Sequence, residues 1–277
     1  MPSSMKVVTA TPSAPLASVV RRYVGYRQTG IPPGIHRGLP TRDLTFIVSL
    51  EAPVRTAAPP DPTQAPVSLQ ALVCGLHTRA ALIARNPVEY GIAVETGPLA
   101  ARALFGLPAG ELAGTVVDLS TLLGRVGVEL VDRLSTADTW TARFAILDEV
   151  LARQIGRTTT EVPPEVRHAW RRLTGTGTPP PMETLANEVG WSRRHLTKRF
   201  HQEVGLPPRQ LRRVLRFERS LTLLRTGQWR TMTDLASAAG YHDHPHLLHE
   251  WTDLAGCIPT TWLTQEHLRV QEALDDR

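Results

Sequence analysis

Basic side chains are concentrated in one stretch of the chain, from Arg193 to Arg230. This stretch holds eleven Lys and Arg residues and two acidic residues. From 163 to 231 the net charge is +9, with 14 basic and 5 acidic residues, whereas from 232 to the end it is −6, with 2 basic and 8 acidic. Guanidinium groups bind phosphate oxygens and pair with the O6 and N7 atoms of guanine. The distribution therefore predicts a polyanionic partner such as nucleic acid.

A short sequence pattern occurs on both sides of the basic stretch. Leu-Ala, three further residues, Gly and an aromatic residue occupy 185–191, and the same pattern recurs 50 residues later at 235–241. With one residue inserted, the match continues at a separation of 51 residues: Leu196, Phe200, Gly205 and Pro208 correspond to Leu247, Trp251, Gly256 and Pro259. We interpret the repeat as a duplicated helical unit whose copies are joined by a basic connector.

The first copy predicts two short helices with a tight turn between them. Gly190 can take the positive φ that the turn needs, and Ser192 is a good N-cap for the second helix. Because Leu196 and Phe200 are four residues apart, both face the core. The outer face is left to polar and basic side chains, namely Arg193, Arg194, Thr197, Lys198 and His201. This pattern is typical of a helix-turn-helix unit, whose second helix enters the DNA major groove.

The second copy predicts the same arrangement with a different outer face. Its outward side chains are three histidines and one acid, namely His244, His246, His249 and Glu250. The two helix-turn-helix units are predicted at 182–205 and 231–256. In the second unit the caps and the turn are assigned to Thr231 or Thr233, Gly240 and Asp243.

One long helix, from Leu206 to Arg225, is predicted between the two units. It has an apolar stripe, and arginines crowd the rest of its surface, with Glu218 as the one acidic residue in it. Such a run is ordinarily a solvated basic face, but its excess over acids favours contact with DNA phosphates. The phosphate contacts predicted for the first unit and the connector are Ser192, Arg193, Arg209, Arg212, Arg213 and Arg216.

Residues 182–263 resemble the DNA-binding domain of the AraC/XylS transcription regulators. The resemblance rests on both copies of the repeat, on Arg216 and Leu224 in the long helix, and on Trp262 after the second copy. It implies two recognition helices in successive major-groove segments of promoter DNA, about 34 Å apart, and RNA polymerase as a further partner. It also implies that bases are contacted by Arg194, Thr197 and Lys198 in the first helix and by His244, His246 and His249 in the second.

The preceding part of the chain predicts a β-rich domain. Residues 1–15 have little to bury and are predicted to be a disordered tail. Residues 16–158 carry short strand patterns separated by turn signals. An all-α DNA-binding domain is predicted at 163–268. The predicted fold class is therefore α+β, with the strands first and the helix-turn-helix units last.

A helical hairpin is predicted at the end of the β-rich domain. Apolar residues follow a helical period from Ser120 to Arg133 and again from Asp138 to Ile155, with a three-residue connection. The hairpin either packs on the strands or forms a homodimer interface across 118–155.

Four polar residues mark a candidate effector pocket in the β-rich domain. They lie in loops or at strand ends, where they could line a ligand pocket, belong to an enzyme site, or form ordinary turns and ion pairs: His36, Arg37, His77 and Arg79. We predict that this domain senses a small-molecule effector, mediates dimerisation, or both. The alternative is an enzyme-like or purely protein-binding module tethered to DNA. Because the sequence has no nucleophile elbow, phosphate loop or metal-spaced His and Glu set, we predict no catalytic residue, cofactor or metal.

Four histidines lie close together around the start of the second recognition helix. They are His242, His244, His246 and His249. Two of them, three residues apart on a helix, could share a metal ion, but no second ligand cluster accompanies them. The other interpretation is contact with DNA that strengthens on protonation, because histidine titrates near pH ~6.5.

Two cysteines, Cys74 and Cys257, are too few for a disulfide framework, which indicates a reducing compartment. No run of 18 apolar residues occurs, so no transmembrane helix is predicted. We predict a cytoplasmic protein that is nucleoid-associated when it is bound to DNA.

Overall fold

The computed structural model describes residues 4–155, 161–177 and 179–266. The strands within them are β1 Ser4–Ala10, β2 Val20–Thr29, β3 Ile35–Gly38, β4 Leu44–Ser49, β5 Val54–Ala58, β6 Val67–Leu69, β7 Ala71–Cys74, β8 Ala81–Ala84, β9 Val88–Thr96 and β10 Val116–Asp118. The helices are α1 Ala101–Phe105, α2 Leu119–Leu123, α3 Arg125–Thr136, α4 Trp140–Ile155, α5 Pro164–Thr174, α6 Met182–Glu188, α7 Arg193–Val204, α8 Pro208–Arg225, α9 Met232–Ala239, α10 His244–Ala255 and α11 Pro259–Gln265.

The strands pair antiparallel in two sheets. The larger sheet has the order β1-β2-β9-β4-β7-β10, and the smaller one has the order β3-β8-β5-β6. β4 bonds to β9 on one side and to β7 on the other, and its alternate residues Leu44, Phe46 and Val48 are buried. Since every second side chain of a strand points to the same face, this face of the sheet lies on the core. The predicted α+β class, with strands before the helix-turn-helix units, is confirmed.

The predicted disordered tail is wrong from Ser4 onward. Ser4–Ala10 forms an edge strand whose register on β2 runs from Ser4 opposite Thr29 to Ala10 opposite Tyr23. The segment is only partly buried; backbone hydrogen bonds to β2 and the packing of Val8 and Ala10 on the core hold it in place. Residues 1–3 lie outside the described residues.

The helical hairpin is present, but its first helix is interrupted. Gly124, with φ 58° and ψ −136°, separates α2 from α3, so the helix predicted from Ser120 to Arg133 is two helices. Asp118 caps α2 by accepting a hydrogen bond from the backbone N–H of Ser120 at 2.7 Å. α3 then packs antiparallel on α4 through buried apolar residues that include Leu130 and Leu147.

The C-terminal helices surround two hydrophobic cores, and α8 belongs to both. Its first half gives Leu211 and Val214 to a core shared with α5, α6 and α7. Its second half gives Phe217, Leu221 and Leu224 to a core shared with α9, α10 and Trp262 of α11. The connector is therefore a structural member of both helix-turn-helix units.

The N-terminal and C-terminal parts are joined by a continuous core. The cluster that contains the strands and the hairpin also contains Leu196 and Phe200 of α7. Arg102 of α1 and Glu203 of α7 form a buried ion pair across the same junction. The division between 158 and 163 stays a prediction, because residues 156–160 lie outside the described ones. Among the helices of the described ranges, none is long and apolar enough to cross a membrane.

Candidate nucleic-acid interface and interdomain cavity

The first helix-turn-helix unit consists of α6, a turn and α7. Gly190 has φ +70°, and the hydroxyl of Ser192 accepts a hydrogen bond from the backbone N–H of His195 at 3.2 Å. Leu196 and Phe200 are fully buried. The turn and the cap predicted from the sequence are confirmed, and they fix which side of α7 faces outward.

The outward face of α7 is cationic. Arg193, Arg194 and Lys198 are exposed, and Thr197 lies half-buried between them. Together with two neighbours these side chains line one shallow groove, formed by Arg193, Arg194, Thr197, Lys198, His201 and Pro207. A convex cationic helix of this kind is suited to the major groove, where Arg and Lys pair with guanine. The structure thus brings together the three base-contacting residues predicted for this unit.

The second unit repeats the geometry of the first. Gly240 has φ +89°, Thr231 and Asp234 form a capping box, and Asp243 caps α10. The ring of Tyr241 lies edge-on against His246 with centroids 5.3 Å apart. The corresponding rings of the first unit, Trp191 and His195, have the same edge-on contact at 4.5 Å. The repeated sequence pattern therefore corresponds to a repeated structure.

The predicted base-contacting histidines of α10 have partners within the protein. His246 Nδ1 is 3.3 Å from the backbone N–H of His242, which donates to it, and Nε2 is 3.6 Å from Glu250. His249 Nε2 is 3.7 Å from Asp253, and its side chain is 75% exposed. His244 is half-buried.

The arginines of α8 differ in what they contact. Arg213 and Arg216 both donate to the carboxylate of Glu250, and Arg213 also donates to Asp253 at 3.0 Å. Arg212 donates to the carbonyl of Pro180, and burial lowers the pKa of its guanidinium. Of the four α8 arginines predicted to contact phosphate, Arg209 is the exposed one. Sequence spacing did not reveal these pairings, because their partners are 32 to 40 residues away.

Comparison with known proteins identifies the C-terminal part. Residues 185–265 match the family model of a helix-turn-helix domain. This region is an AraC-type helix-turn-helix domain. The AraC-type domain is the DNA-binding part of a transcription regulator, and its two units are α6–α7 and α9–α10. No curated protein matches the chain.

Solved structures of similar proteins share little sequence with the chain. ToxT from Vibrio cholerae is 11% identical, with 96% of this chain and 99% of that chain covered and a TM-score of 0.48. Wild-type ToxT from Vibrio cholerae strain SCE256 with a bound unsaturated fatty acid is 9% identical, with 96% of each chain covered and a TM-score of 0.48. The C-terminal domain of AraT, a response regulator from Geobacillus stearothermophilus, is 18% identical, with 40% of this chain and 93% of that chain covered and a TM-score of 0.35.

A cavity of about 730 Å³ lies between the two sheets and the DNA-binding domain. Strand residues such as Phe46 and Ile83 line it on one side, and α8 residues such as Leu215 line it on the other. Of the four residues predicted for an effector pocket, His36 lines this cavity. The other three, Arg37, His77 and Arg79, lie outside its lining.

The three residues outside the cavity have structural roles or are exposed. His77 is buried, and its Nδ1–H donates to the carbonyl of Arg79 at 2.6 Å. Burial lowers the pKa of His77 to about 4, so the ring is neutral at pH 7. The backbone N–H of Arg37 donates to Glu266 and its guanidinium to Gln265 of α11. The side chain of Arg79 is exposed. The four predicted residues therefore do not line one cavity together.

Ion pairs surround the cavity. Arg21 pairs with Asp43, Arg22 with Glu95, and Arg42 with Glu218 of α8. The pKa values of Asp43, Glu89 and Glu218 are raised. Burial raises these pKa values, and the smaller opposing effect of nearby arginines does not cancel it.

Arg85 differs from Arg21, Arg22 and Arg42, which are paired with carboxylates. Its side chain is 8% exposed, Nη2 is buried with no hydrogen-bond partner, and the nearest carboxylate, that of Glu266, is 4.0 Å away. Arg85 and Arg42 were not predicted from the sequence. The one available signal was Glu218, the single acid in an arginine-rich helix. Among the described residues, no three His, Cys, Asp or Glu side chains are grouped so that they could hold a metal ion.

Proposed function

We propose that α7 is the base-reading helix of this regulator, with Arg194, Thr197 and Lys198 facing base edges and Ser192, Arg193 and Arg209 facing phosphates. The observation that supports the proposal is the cationic outer face of α7, whose apolar side is buried in the first core. Base-reading side chains and phosphate-contacting ones have different thermodynamic effects, so substitutions can separate them.

Fluorescence anisotropy with a selected duplex and a scrambled duplex tests the assignment. Arg194→Ala should cost about 1–3 kcal/mol on the selected duplex and much less on the scrambled one. Arg209→Ala should weaken both alike and reduce the salt slope by about 1. As a control, Lys6→Ala removes an exposed cationic side chain of β1 and should change neither the ratio of the two affinities nor the salt slope. An unchanged ratio of selected to scrambled affinity in Arg194→Ala would remove Arg194 from the base-reading set.

We also propose that the interdomain cavity binds an effector, and that this effector is a small amphiphilic anion. Apolar strand residues form one side of the cavity. The buried Arg85 provides a positive charge, and its Nη2 makes no hydrogen bond. Because Nη2 of Arg85 is buried without a hydrogen bond, an anion that reaches it gains a charge-assisted hydrogen bond. Thermal denaturation with octanoate should show stabilisation of the wild type and not of Arg85→Gln. Octylamine, with the opposite charge, should stabilise neither, and equal stabilisation by both compounds would exclude an anion site.

The remaining partners are part of the same proposal. A homodimer through 118–155 is supported by Val128, an apolar side chain of α3 that is 51% exposed. Sedimentation of Val128→Glu should show a shift towards monomer if this face pairs. RNA polymerase contact, a cytoplasmic location and the absence of enzyme activity are proposed with the regulator function.

A further inference from the structure

The two recognition helices have opposite charge. α7 carries four cationic side chains against one acid: Arg193, Arg194, Lys198, Arg199 and Glu203. α10 carries Glu250 and Asp253, and the sequence from 232 to 266 contains no Lys or Arg. DNA phosphates therefore attract α7, whereas α10 has no cationic Lys or Arg side chain to attract them.

The chemistry of base reading is also divided unequally. The strongest readers of base edges are Arg and Lys on guanine and Asn and Gln on adenine. α7 presents Arg194 and Lys198 on its exposed face. The sequence of α10, HPHLLHEWTDLA, contains none of these four residue types. Its Thr252 donates to the backbone carbonyl of Leu248 at 2.9 Å.

The acids of α10 are neutralised from within the protein. Glu250 is 5% exposed and accepts hydrogen bonds from Arg213 at 3.1 Å and from Arg216 at 2.7 Å. Arg216 also lies over the ring of Tyr241, with its guanidinium carbon 5.2 Å from the centroid. If these arginines moved to DNA, a buried carboxylate would lose its partners, which is strongly unfavourable. The pairing therefore positions α10 on α8 and removes both the arginines and Glu250 from base reading.

We propose that base-specific recognition is confined to the major-groove segment bound by α7, and that α10 contacts the neighbouring segment without specifying its bases. The inference rests on the proposed DNA-binding function. The DNA site then consists of one block of fixed bases and, one helical turn away, a segment that tolerates any sequence.

Selection of bound duplexes from a random pool by the full chain, followed by sequencing, tests the proposal. A single block of fixed bases is expected. Two blocks of different sequence and comparable base preference, with centres 10–10.5 base pairs apart, would overturn it, whereas two copies of one block would be bound by the α7 helices of two chains. Enrichment of no duplex would instead overturn the proposed DNA-binding function, so the two failures are distinguishable.

Variants of His249 provide a second test, because its exposed side chain allows substitution without disturbing the core. His249→Ala should leave the selected bases unchanged and alter affinity by less than about 2-fold, whereas a contact that reads a base changes discrimination by about 5- to 150-fold. His249→Arg should add a guanine preference in the tolerant segment and leave the first block unchanged. Loss of base preference in His249→Ala would show that α10 reads bases, and no new preference in His249→Arg would show that α10 does not reach the groove. Either result overturns the proposal.

Discussion

Arg102 and Glu203 form an ion pair of two hydrogen bonds, from Nε to Oε2 at 2.6 Å and from Nη2 to Oε1 at 2.8 Å. Arg102 lies in α1 beside the sheets, and Glu203 lies in the last turn of α7, where its side chain is fully buried. The pair fixes the end of the first recognition helix to the N-terminal part. A change in that part therefore acts directly on the helix proposed to read bases.

Arg102→Ala should lower the free energy of unfolding by about 3 kcal/mol, because it leaves the Glu203 carboxylate buried without its main partner. The expected loss is at the lower end for a broken buried pair, since Arg199 stays 3.9 Å away. Urea denaturation measures it. Arg55→Ala, which removes an exposed arginine that donates to Asn86 at 3.0 Å, is the control and should change stability by less than about 0.5 kcal/mol. Equal effects in the two variants would contradict the role of the pair.

Gly110→Ala should disturb the contact between the N-terminal part and α7 and thereby lower the stability of the protein. A Cβ at Gly110 would lie 2.5 Å from the carbonyl oxygen of Gln202, so the backbone must shift. Overpacking of this kind costs about 1–3 kcal/mol, which thermal denaturation detects. Gly97→Ala is the matched control, because Gly97 has φ −80° and no atom within 4 Å of the added methyl. The close contact would be disproved by melting temperatures that agree among both variants and the wild type.

Arg42→Ala should cost more stability at pH 7.5 than at pH 5. Burial raises the pKa of Glu218, and Arg42 lowers it, so loss of Arg42 raises the pKa further. An acid whose pKa is raised in the folded state loses stability as the pH rises through that pKa, because the folded protein binds the proton more tightly. Urea denaturation at both pH values measures the difference. Arg42→Lys keeps the positive charge and should show a smaller difference between the two pH values. A loss of stability in Arg42→Ala that is independent of pH would refute the electrostatic interaction of Arg42 with Glu218.

His77→Gln should reduce the loss of stability in acid. Burial lowers the pKa of His77 to about 4, whereas an unfolded histidine titrates near ~6.5. Since the unfolded state takes up the proton first, the wild type loses up to about 3 kcal/mol from this group as the pH falls from ~6.5 towards 4. The free energy of unfolding, compared at pH 7 and pH 4.5, should therefore fall less in the variant. An equal decrease in the free energy of unfolding in both proteins would mean that folded His77 takes up its proton as readily as unfolded His77.

Local signals in the sequence predicted the helix-turn-helix units well. Ser192 and Asp243 cap helices through hydrogen bonds to residues three positions away, and Gly190 and Gly240 make turns that their own φ angles define. Such features depend on neighbouring residues, so the sequence order contains the necessary information.

Features that depend on distant residues were missed. Ser4–Ala10 has a weak strand pattern and is ordered by pairing with β2. Arg213 and Arg216 look like a solvated basic face until α10 places Glu250 beside them. Arg85 reaches the cavity from a turn after a short strand, and a single arginine there forms no pattern. In each case the partner is brought in by the tertiary fold.

α8 contributes Leu211 and Val214 to one hydrophobic core and Phe217 and Leu221 to the other, and the first core continues into the sheets. The second lobe therefore shares the helix α8 with the first. Global unfolding is expected to be one cooperative transition, with amides of β4 and of α10 exchanging hydrogen through the same opening. An effector that stabilises the sheets then adds the same free energy to the protection of a helix at the opposite end of the chain.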